Sequence, residues 1–404
     1  MSARGRQRVR LLLVESATTI DSAQRLVWEL ATRLPDHRYA LRVWLSPSPD
    51  VDPLADSLEA RGIPVDRVAE IALPWTWGRM LTLWSQLRRL GPKLVHFHAG
   101  GSGAQPHLPT LARHAGAEHL VLTRHLSTTG LDPWARPAER RIFQSVDAVT
   151  VSSGAVREVL VQETGVDRER IRVVPNGVDP PDEPKERPAA RRLRDQFGVG
   201  MFKPLWVCAA RLEEAKGHAV LLEALARVKE RGLDFVAALA GDGSLRSTLE
   251  RLAVALGLDA QVRFLGHVDS IGPLILAADA CVLASRWEAQ PWFVLESMAR
   301  ARPVLAAAVG GVPELMDDGV HGRLVPADDP EALAAVLEEF HRKPDIPRRL
   351  GLSAAQRLGT SLTWDRSIEA FEAVYDDVLG LASFVAAKQE IRSGRVVQGH
   401  DARR

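Results

Sequence analysis

Short apolar runs alternate repeatedly with amphipathic segments of helical period along this chain. Runs such as VRLLLV (9–14), KLVHFH (93–98) and PLWVCAA (204–210) are predominantly apolar and do not alternate apolar with polar positions. Such runs are typical of parallel strands that are covered on both faces. Because helical patterns separate them, the sequence predicts βαβ units and a doubly wound α/β sheet.

The alternation occurs twice, which predicts two domains. A chain of 404 residues is too long for one ordinary core. The pattern stops over residues 171–192, where charges accompany a cluster of prolines: Pro175, Pro180, Pro181, Pro184 and Pro188. This composition predicts a linker that contains no core element. We therefore predict domains at 1–180 and 181–362, a long helix at 363–385, and a disordered basic tail at 386–404.

Composition bears on the binding partners and the cellular location of the protein. The formal net charge of +1 gives no reason to expect a nucleic-acid partner. Cys208 and Cys281 lie in apolar runs, so we expect buried, reduced thiols and a reducing compartment. The leading LLLV run is too short for a signal peptide, and no run reaches the ~18–20 apolar residues of a membrane span. We predict a cytoplasmic protein, whose basic tail either stays in solution or contacts anionic lipid at the membrane's inner face.

Cations follow the first strand of the second domain. Arg211 and Lys216 lie in RLEEAKG, directly after PLWVCAA, and suit a diphosphate. The alternative is two solvated loop charges. Gly241 and Gly243 follow the next strand, where they either permit close backbone approach to a ligand or form a plain turn.

Two glutamates bracket the segment EAQPWFVLE, residues 288–296. Pro291 is placed to be the first residue of a helix, because its missing N–H costs nothing there. Glu288 then precedes the helix and Glu296 lies inside it. The free N–H groups of the first turn form an anion site between them. The alternative is a solvated loop acid and a salt-bridged helix acid.

Histidines end two strands of the first domain. His96 and His98 lie in LVHFHAGGSG, and His125 follows the strand in VLTRH. Histidines at adjacent strand ends favour a functional site over a purely structural role. A metal site is disfavoured, since no Asp or Cys joins them at ligand spacing.

These segments, in this order, resemble the retaining glycosyltransferases of family 4, group 1, which have the GT-B fold. The resemblance covers residues 170–335 most closely, through VVPNGVD, ARLEEAKG, LAGDGSLR, VRFLGHV and VGGVPELMDDGVHGRLV. The E-x7-E arrangement of Glu288 and Glu296 is its most specific motif. The first half is similar more loosely, through LVHFHAGGSG and LTRH. The implied fold is two Rossmann-like parallel-sheet domains facing across a cleft.

The resemblance implies a role for each matching residue. The catalytic residues would be His125, Glu288, Arg211 and Lys216. The donor-binding residues would be Arg211, Lys216, Gly241, Gly266, His267, Trp292, Phe293 and Glu296. Glu296 would hold the ribose, Glu288 would contact the donor sugar, and the base would lie near Gly266 and His267. The first domain would bind the acceptor through His98, Gly100 and Gly101. No metal or cofactor is implied.

The sequence departs from the family pattern at two places. Gln290, Pro291 and Trp292 stand where the family usually has glycines, and ESATTIDSAQ replaces its glycine-rich turn after the first strand. We therefore predict a retaining transferase that uses a nucleoside diphosphate-sugar and a glycan or lipid-linked acceptor, in cell-envelope or exopolysaccharide synthesis. The alternative is a degenerate homologue that binds without turnover. A dinucleotide oxidoreductase is disfavoured, because HAGGSGA lacks the full G-x-G-x-x-G spacing. No feature favours a sugar-nucleotide epimerase of the same fold.

Overall fold

A computed structural model describes residues 8–17, 22–71, 76–100, 107–125, 133, 136–200 and 203–381. The first sheet has strand order β3-β2-β1-β4-β5-β6-β7, with every pair parallel. Its strands are β1 (Val9–Glu15), β2 (Tyr39–Leu45), β3 (Val65–Arg67), β4 (Leu94–Ala99), β5 (His119–Arg124), β6 (Ala148–Val151) and β7 (Ile171–Val173). The helices between them are α1 (Ser22–Arg33), α2 (Asp52–Glu59), α3 (Trp77–Leu90), α4 (Leu108–His114), α5 (Arg136–Ser145) and α6 (Gly154–Thr164).

The second sheet repeats this design with strand order β10-β9-β8-β11-β12-β13, again with parallel pairs. Its strands are β8 (Leu205–Ala209), β9 (Val236–Ala240), β10 (Val262–Gly266), β11 (Ala280–Leu283), β12 (Val304–Ala307) and β13 (Arg323–Val325). The remaining helices are α7 (Glu183–Gln196), α8 (His218–Glu230), α9 (Arg246–Ala255), α10 (Gly272–Ala277), α11 (Trp292–Ala299), α12 (Val312–Leu315), α13 (Pro330–Arg342), α14 (Asp345–Ser361) and α15 (Trp364–Val378).

Both faces of each sheet are covered, which explains the apolar runs. In β1, Leu12 and Val14 enter one hydrophobic cluster, whereas Leu11 and Leu13 enter the cluster on the opposite face. The prediction of two doubly wound parallel-sheet domains is confirmed. Cys208 and Cys281 are buried and free, and burial raises the pKa of each thiol to about 12. Within the described residues, no helix combines the length and apolar content that a membrane span requires.

The prediction of a linker throughout residues 171–192 is wrong, because α7 begins at Glu183. Pro184 lies in the first helical turn, where its missing N–H costs nothing. Pro188 removes one internal hydrogen bond, but tertiary contacts stabilise the helix. Ala190 is buried, and Arg194 donates to the Ala277 carbonyl (2.7 Å). The connector between the sheets is therefore residues 174–182, which contain the predicted boundary at 180.

The last described helix, α15, packs on the first sheet, in the same hydrophobic cluster as Leu11 and Leu13. Arg38 binds the carboxylates of Glu372 and Asp376 on α15, each at 2.5 Å. The start of α15 also touches the connector, because the Val178 N–H donates to the Leu362 carbonyl (3.1 Å). A Cβ on Gly177 would lie 2.4 Å from the Cα of Trp364. The two passages of the chain between the sheets thus lie against each other. The predicted tail, 386–404, lies outside the described residues.

Candidate active site

The ends of β8 and β11, which are neighbouring strands, bring Lys216 and Glu288 together. The Lys216 Nζ donates to Glu288 Oε1 at 2.7 Å, and the Ser285 hydroxyl donates to the same oxygen at 2.7 Å. Gly217 permits this approach: its φ is +64°, and a Cβ there would lie 1.9 Å from the Ala284 carbonyl oxygen. Glu288 is only 7% exposed. The site thus contains a buried carboxylate that is neutralised by a lysine.

Arg211 also follows β8, but it is far more accessible. Its guanidinium is about half exposed and binds Glu213 Oε1 at 2.7 Å. Nearby, the Gly241 N–H donates to the Gly266 carbonyl at 2.7 Å, and a Cβ on Gly241 would lie 2.1 Å from the Ala210 carbonyl oxygen. His267 is exposed and lies 3.5 Å from Asp269. These residues line one edge of the second sheet, with Arg211 as a solvent-facing cation.

The segment between the two glutamates is anchored to the connector. The Gln290 Oε1 accepts a hydrogen bond from the Asn176 N–H at 2.6 Å. Pro291 is the N-cap of α11, so the helix begins at Trp292, one residue later than predicted. The Trp292 Nε1–H donates to the Gly177 carbonyl at 3.2 Å, while Phe293 is buried. Gln290 therefore satisfies a buried backbone group of the connector.

Glu296 is bound to an arginine of the other domain. Arg25, on α1, places its Nη2 2.6 Å from Glu296 Oε1. The Arg25 guanidinium also stacks on Trp292, with its Cζ 4.6 Å from the ring centroid. Sequence reasoning missed Arg25, because no local pattern links α1 to α11.

The segment after β12 makes two further contacts: two glycines pack against the Glu288 backbone, and a glutamate binds the first domain. The Gly311 N–H donates to the Glu288 carbonyl at 2.9 Å, and a Cβ on Gly310 would lie 1.9 Å from that oxygen. Glu314 then crosses to the first domain. Its carboxylate accepts from the N–H groups of Gly154 (2.9 Å) and Ala155 (2.7 Å), in the first turn of α6. Such capping satisfies otherwise unpaired helix donors. Sequence reasoning missed this contact as well.

The three predicted histidines form a row on one face of the first sheet. Rings 96 and 98 have centroids 4.2 Å apart, and rings 98 and 125 have centroids 5.9 Å apart. His96 is buried between the Tyr375 hydroxyl and the Thr123 hydroxyl, each 2.7 Å from a ring nitrogen. Among the described residues, no group pairs with either ring nitrogen of His98 or with Nε2 of His125. Gly100 follows β4, whereas Gly101 lies outside the described residues.

Burial keeps these imidazoles neutral at pH 7. Desolvation, with a smaller effect of the His125 charge, lowers the pKa of His96 to about 3. Desolvation and then the Arg124 charge lower the pKa of His125 to about 3. Desolvation, followed by His96 and His125, lowers the pKa of His98 well below its ordinary value. Neutral rings at the strand ends can exchange hydrogen bonds with a hydroxyl group, but they bring no positive charge.

These lowered pKa values predict acid sensitivity. The unfolded chain binds protons at these histidines below about pH 6.5, whereas in the folded protein His96 and His125 resist protonation down to about pH 3 and the pKa of His98 is lowered as well. The free energy of unfolding should therefore fall as pH drops from about 6.5 towards 3. Urea unfolding between pH 7.5 and 5.5 measures this slope. His98→Gln should flatten it, while substitution of the exposed His37 should not. An unchanged slope in His98→Gln would contradict the assignment.

Metal ligands do not accompany these side chains. In the parts of the chain that the structure describes, no group of three or more His, Cys, Asp or Glu residues could hold a metal ion. The cations Lys216 and Arg211 and the first turn of α11 follow strands of the second sheet, whereas the neutral histidines end strands of the first sheet. This arrangement can neutralise an anion and orient a hydroxyl group.

Two family models match the chain in succession. Residues 23–181 match "Glycosyltransferase Family 4", and residues 203–343 match "Glycosyl transferases group 1". Among curated relatives, the alpha-D-kanosaminyltransferase of Streptomyces kanamyceticus is 28% identical over 335 residues, covering 78% of this chain and 86% of that protein. The D-inositol 3-phosphate glycosyltransferase of Streptomyces scabiei is 30% identical over 340 residues, covering 77% and 75% respectively.

Solved structures show the same fold. HepE of Anabaena, solved in complex with UDP and glucose, has a TM-score of 0.79 at 20% identity and covers 92% of this chain and 100% of its own. A glycosyltransferase from Rickettsia africae has a TM-score of 0.79 at 18% identity, covering 93% and 100%. WaaG, described as involved in lipopolysaccharide biosynthesis, has a TM-score of 0.68 at 17% identity, covering 92% and 100%.

Proposed function

Because the chain belongs to glycosyltransferase family 4, we propose that it transfers a sugar from a nucleoside diphosphate-sugar to a hydroxyl group, with retention of anomeric configuration. The observation that carries this proposal is the Lys216–Glu288 pair, buried where β8 and β11 end beside the first turn of α11. Ligands of open parallel sheets bind at the carboxyl ends of the strands. The complex of HepE with UDP and glucose supports a donor of this class.

On the donor side, the diphosphate lies between the two cations and the N–H groups of Trp292 and Phe293. Arg211 and Lys216 offset the charge that accumulates on the leaving diphosphate, so that no metal is required. Glu296 holds the ribose hydroxyls. Glu288 faces the donor sugar, where positive charge develops as the bond to phosphate lengthens. The base lies near Gly241, Gly266 and His267, where the Gly241 N–H is bonded to the Gly266 carbonyl at the ends of β9 and β10.

On the acceptor side, His98, Gly100 and His125 face the donor from the first domain, and Gly101, which lies outside the described residues, is assigned to the same side from the sequence alone. The imidazoles are neutral. His125 therefore accepts a hydrogen bond from a sugar hydroxyl, or donates one to it, without repelling positive charge at the reacting carbon. We propose a glycan or lipid-linked acceptor in cell-envelope or exopolysaccharide synthesis. The involvement of WaaG in lipopolysaccharide biosynthesis supports this acceptor class. Reaction in the cytoplasm, at the membrane's inner face, accords with such an acceptor.

A second candidate is a homologue that binds nucleotide or glycan without turnover. Two observations favour it: Gln290, Pro291 and Trp292 replace glycines, and Arg25 occupies Glu296. Incubation with UDP-, GDP- and ADP-sugars separates the two candidates. We expect one donor to be hydrolysed, without acceptor, in excess EDTA. Nucleotide-induced thermal stabilisation with no hydrolysis of any donor would favour the second candidate. Hydrolysis that stops in EDTA and returns with magnesium would contradict metal independence.

Arg25 should compete with the ribose for Glu296. Arg25→Ala is therefore expected to raise nucleoside diphosphate affinity about fivefold, the equivalent of losing a partly exposed ion pair of ~1 kcal/mol. Calorimetry measures the change. Arg61→Ala is the matched control, since Arg61 stacks on Trp28 at 4.5 Å without approaching the donor site. The gain should vanish when Glu296→Gln is also present. A lower affinity in Arg25→Ala would mean that Arg25 binds the nucleotide instead.

A further inference from the structure

Helix α3 exposes apolar side chains to solvent. Trp77 is 84% exposed and Leu81 is 66% exposed, the two highest values among large apolar residues that the structure describes. They lie one helical turn apart and so share a face. One turn further along, Trp84 is only partly buried, and the Arg88 guanidinium lies 5.4 Å from its ring centroid. Tryptophan and arginine side by side on an exposed helix face suit a boundary between water and lipid.

The charged residues of the α3 segment itself are all positive, and Lys93, beyond the end of the helix, pairs with Glu118 at 3.7 Å. Residues 72–93 contain Arg79, Arg88, Arg89 and Lys93 but no acidic residue. The chain as a whole has a net charge of only +1, so this stretch is a local concentration of positive charge. An apolar stripe flanked by arginines is typical of helices that lie in the headgroup region of an anionic membrane.

A cavity of about 580 Å³ extends the basic surface beyond the end of α3. Its lining includes arginines from three parts of the chain: Arg8, Arg10, Arg42 and Arg89. Apolar side chains, including Leu34 and Ile63, complete the lining, and Asp36 is its one acidic residue. The start of β1 therefore meets the end of α3. Residues 1–14 are as basic as the α3 segment, because Arg4 and Arg6 precede Arg8 and Arg10 and no acid intervenes.

We propose that the outward face of α3, with the arginine-lined cavity at its end, docks the protein on an anionic lipid bilayer. Trp77 and Leu81 enter the headgroup boundary, and the arginines at both ends of the surface bind lipid phosphates. This surface differs from the basic tail at 386–404. The proposal is independent of sugar transfer, because docking needs neither donor nor acceptor.

Co-sedimentation of the full chain with vesicles, without nucleotide, tests this surface. We expect binding to phosphatidylcholine vesicles that contain phosphatidylglycerol, and weak binding to phosphatidylcholine alone. Higher salt should weaken binding, because the Debye length shortens. Trp77→Ser with Leu81→Ser should lower vesicle affinity about tenfold or more. Arg88→Gln with Arg89→Gln should remove most of the preference for anionic lipid.

Variants at other surface positions test whether the α3 surface, rather than another part of the protein, binds the vesicles. Val254→Ser removes a side chain that is 65% exposed on α9 of the second domain, and it should leave vesicle binding unchanged. Arg392→Gln with Arg395→Gln neutralises part of the tail and should have little effect. Circular dichroism of each variant controls for folding. The proposal is overturned if no anionic vesicle binds the protein, if the α3 variants bind as the parent does, or if the tail variant alone abolishes binding.

Discussion

Lys216→Ala should lower the rate of sugar transfer by about a hundredfold, the scale for losing one preorganised charge stabiliser. The lysine is bound to a buried carboxylate at 2.7 Å, so its position is fixed before the donor arrives. Its removal withdraws positive charge from the leaving diphosphate and leaves Glu288 without its neutralising partner. Arg211→Ala should also lower the rate, but by a smaller factor, because its guanidinium is half exposed and bound to Glu213.

Turnover at saturating donor, measured by release of nucleoside diphosphate, checks both variants. Lys203→Ala is the matched control, since Lys203 pairs with Asp234 on the surface, at 3.2 Å. The control should retain the parent rate. Losses of less than threefold at both Arg211 and Lys216 would place the diphosphate elsewhere.

Glu288→Gln should lower the maximal rate by about a hundredfold while changing nucleotide affinity little. Glutamine keeps the shape of the side chain but removes the negative charge that, in the proposed arrangement, faces the donor sugar as positive charge develops there. The substitution should affect the rate and not the affinity for free nucleotide, because free nucleotide carries no sugar for Glu288 to contact. Isothermal calorimetry with UDP, GDP or ADP, together with turnover at saturating donor, separates affinity from rate.

Glu296→Gln should have the opposite effect: it should lower nucleotide affinity more than it lowers the maximal rate. A hydrogen bond to a charged group contributes about 1.5–3 kcal/mol, so losing the ribose contact lowers nucleotide affinity. Part of this loss is offset, because the Arg25–Glu296 ion pair no longer has to be broken when the nucleotide binds. The full loss should therefore emerge when Glu296→Gln is added to Arg25→Ala. If Glu288→Gln loses nucleotide binding and Glu296→Gln loses only rate, the two assignments are reversed.

The sheets could be predicted from sequence because strands that are buried on both faces consist of consecutive apolar residues. LLLV (11–14) and PLWVCAA are apolar on consecutive positions, and they lie in the central strands β1 and β8. The approach of Lys216 to Glu288 could be anticipated in the same way, since both follow strands of one sheet. In contrast, α7 was missed because its prolines outweighed the helix-stabilising contacts of Ala190 and Arg194, which are tertiary.

Contacts across the cleft could not be predicted, since they join residues that no local period connects. Arg25 reaches Glu296 only because α1 and α11 meet, and Glu314 caps α6 only because α12 faces it. Gln290 illustrates the same limit. In the sequence it stands out as a departure from the family pattern. In the fold its side chain accepts a hydrogen bond from the Asn176 N–H.

The contact between the two chain passages restricts how the domains can move. Residues 174–182 leave the first sheet beside residues 362–364, which return to it, and the Val178 N–H is bonded to the Leu362 carbonyl. Both passages run through this junction, so a hinge motion between the domains must bend the chain there. Gln290 is bonded to the connector at the same place. Arg25 and Glu314 instead join the two domains away from the junction, so their contacts must break before the domains can separate.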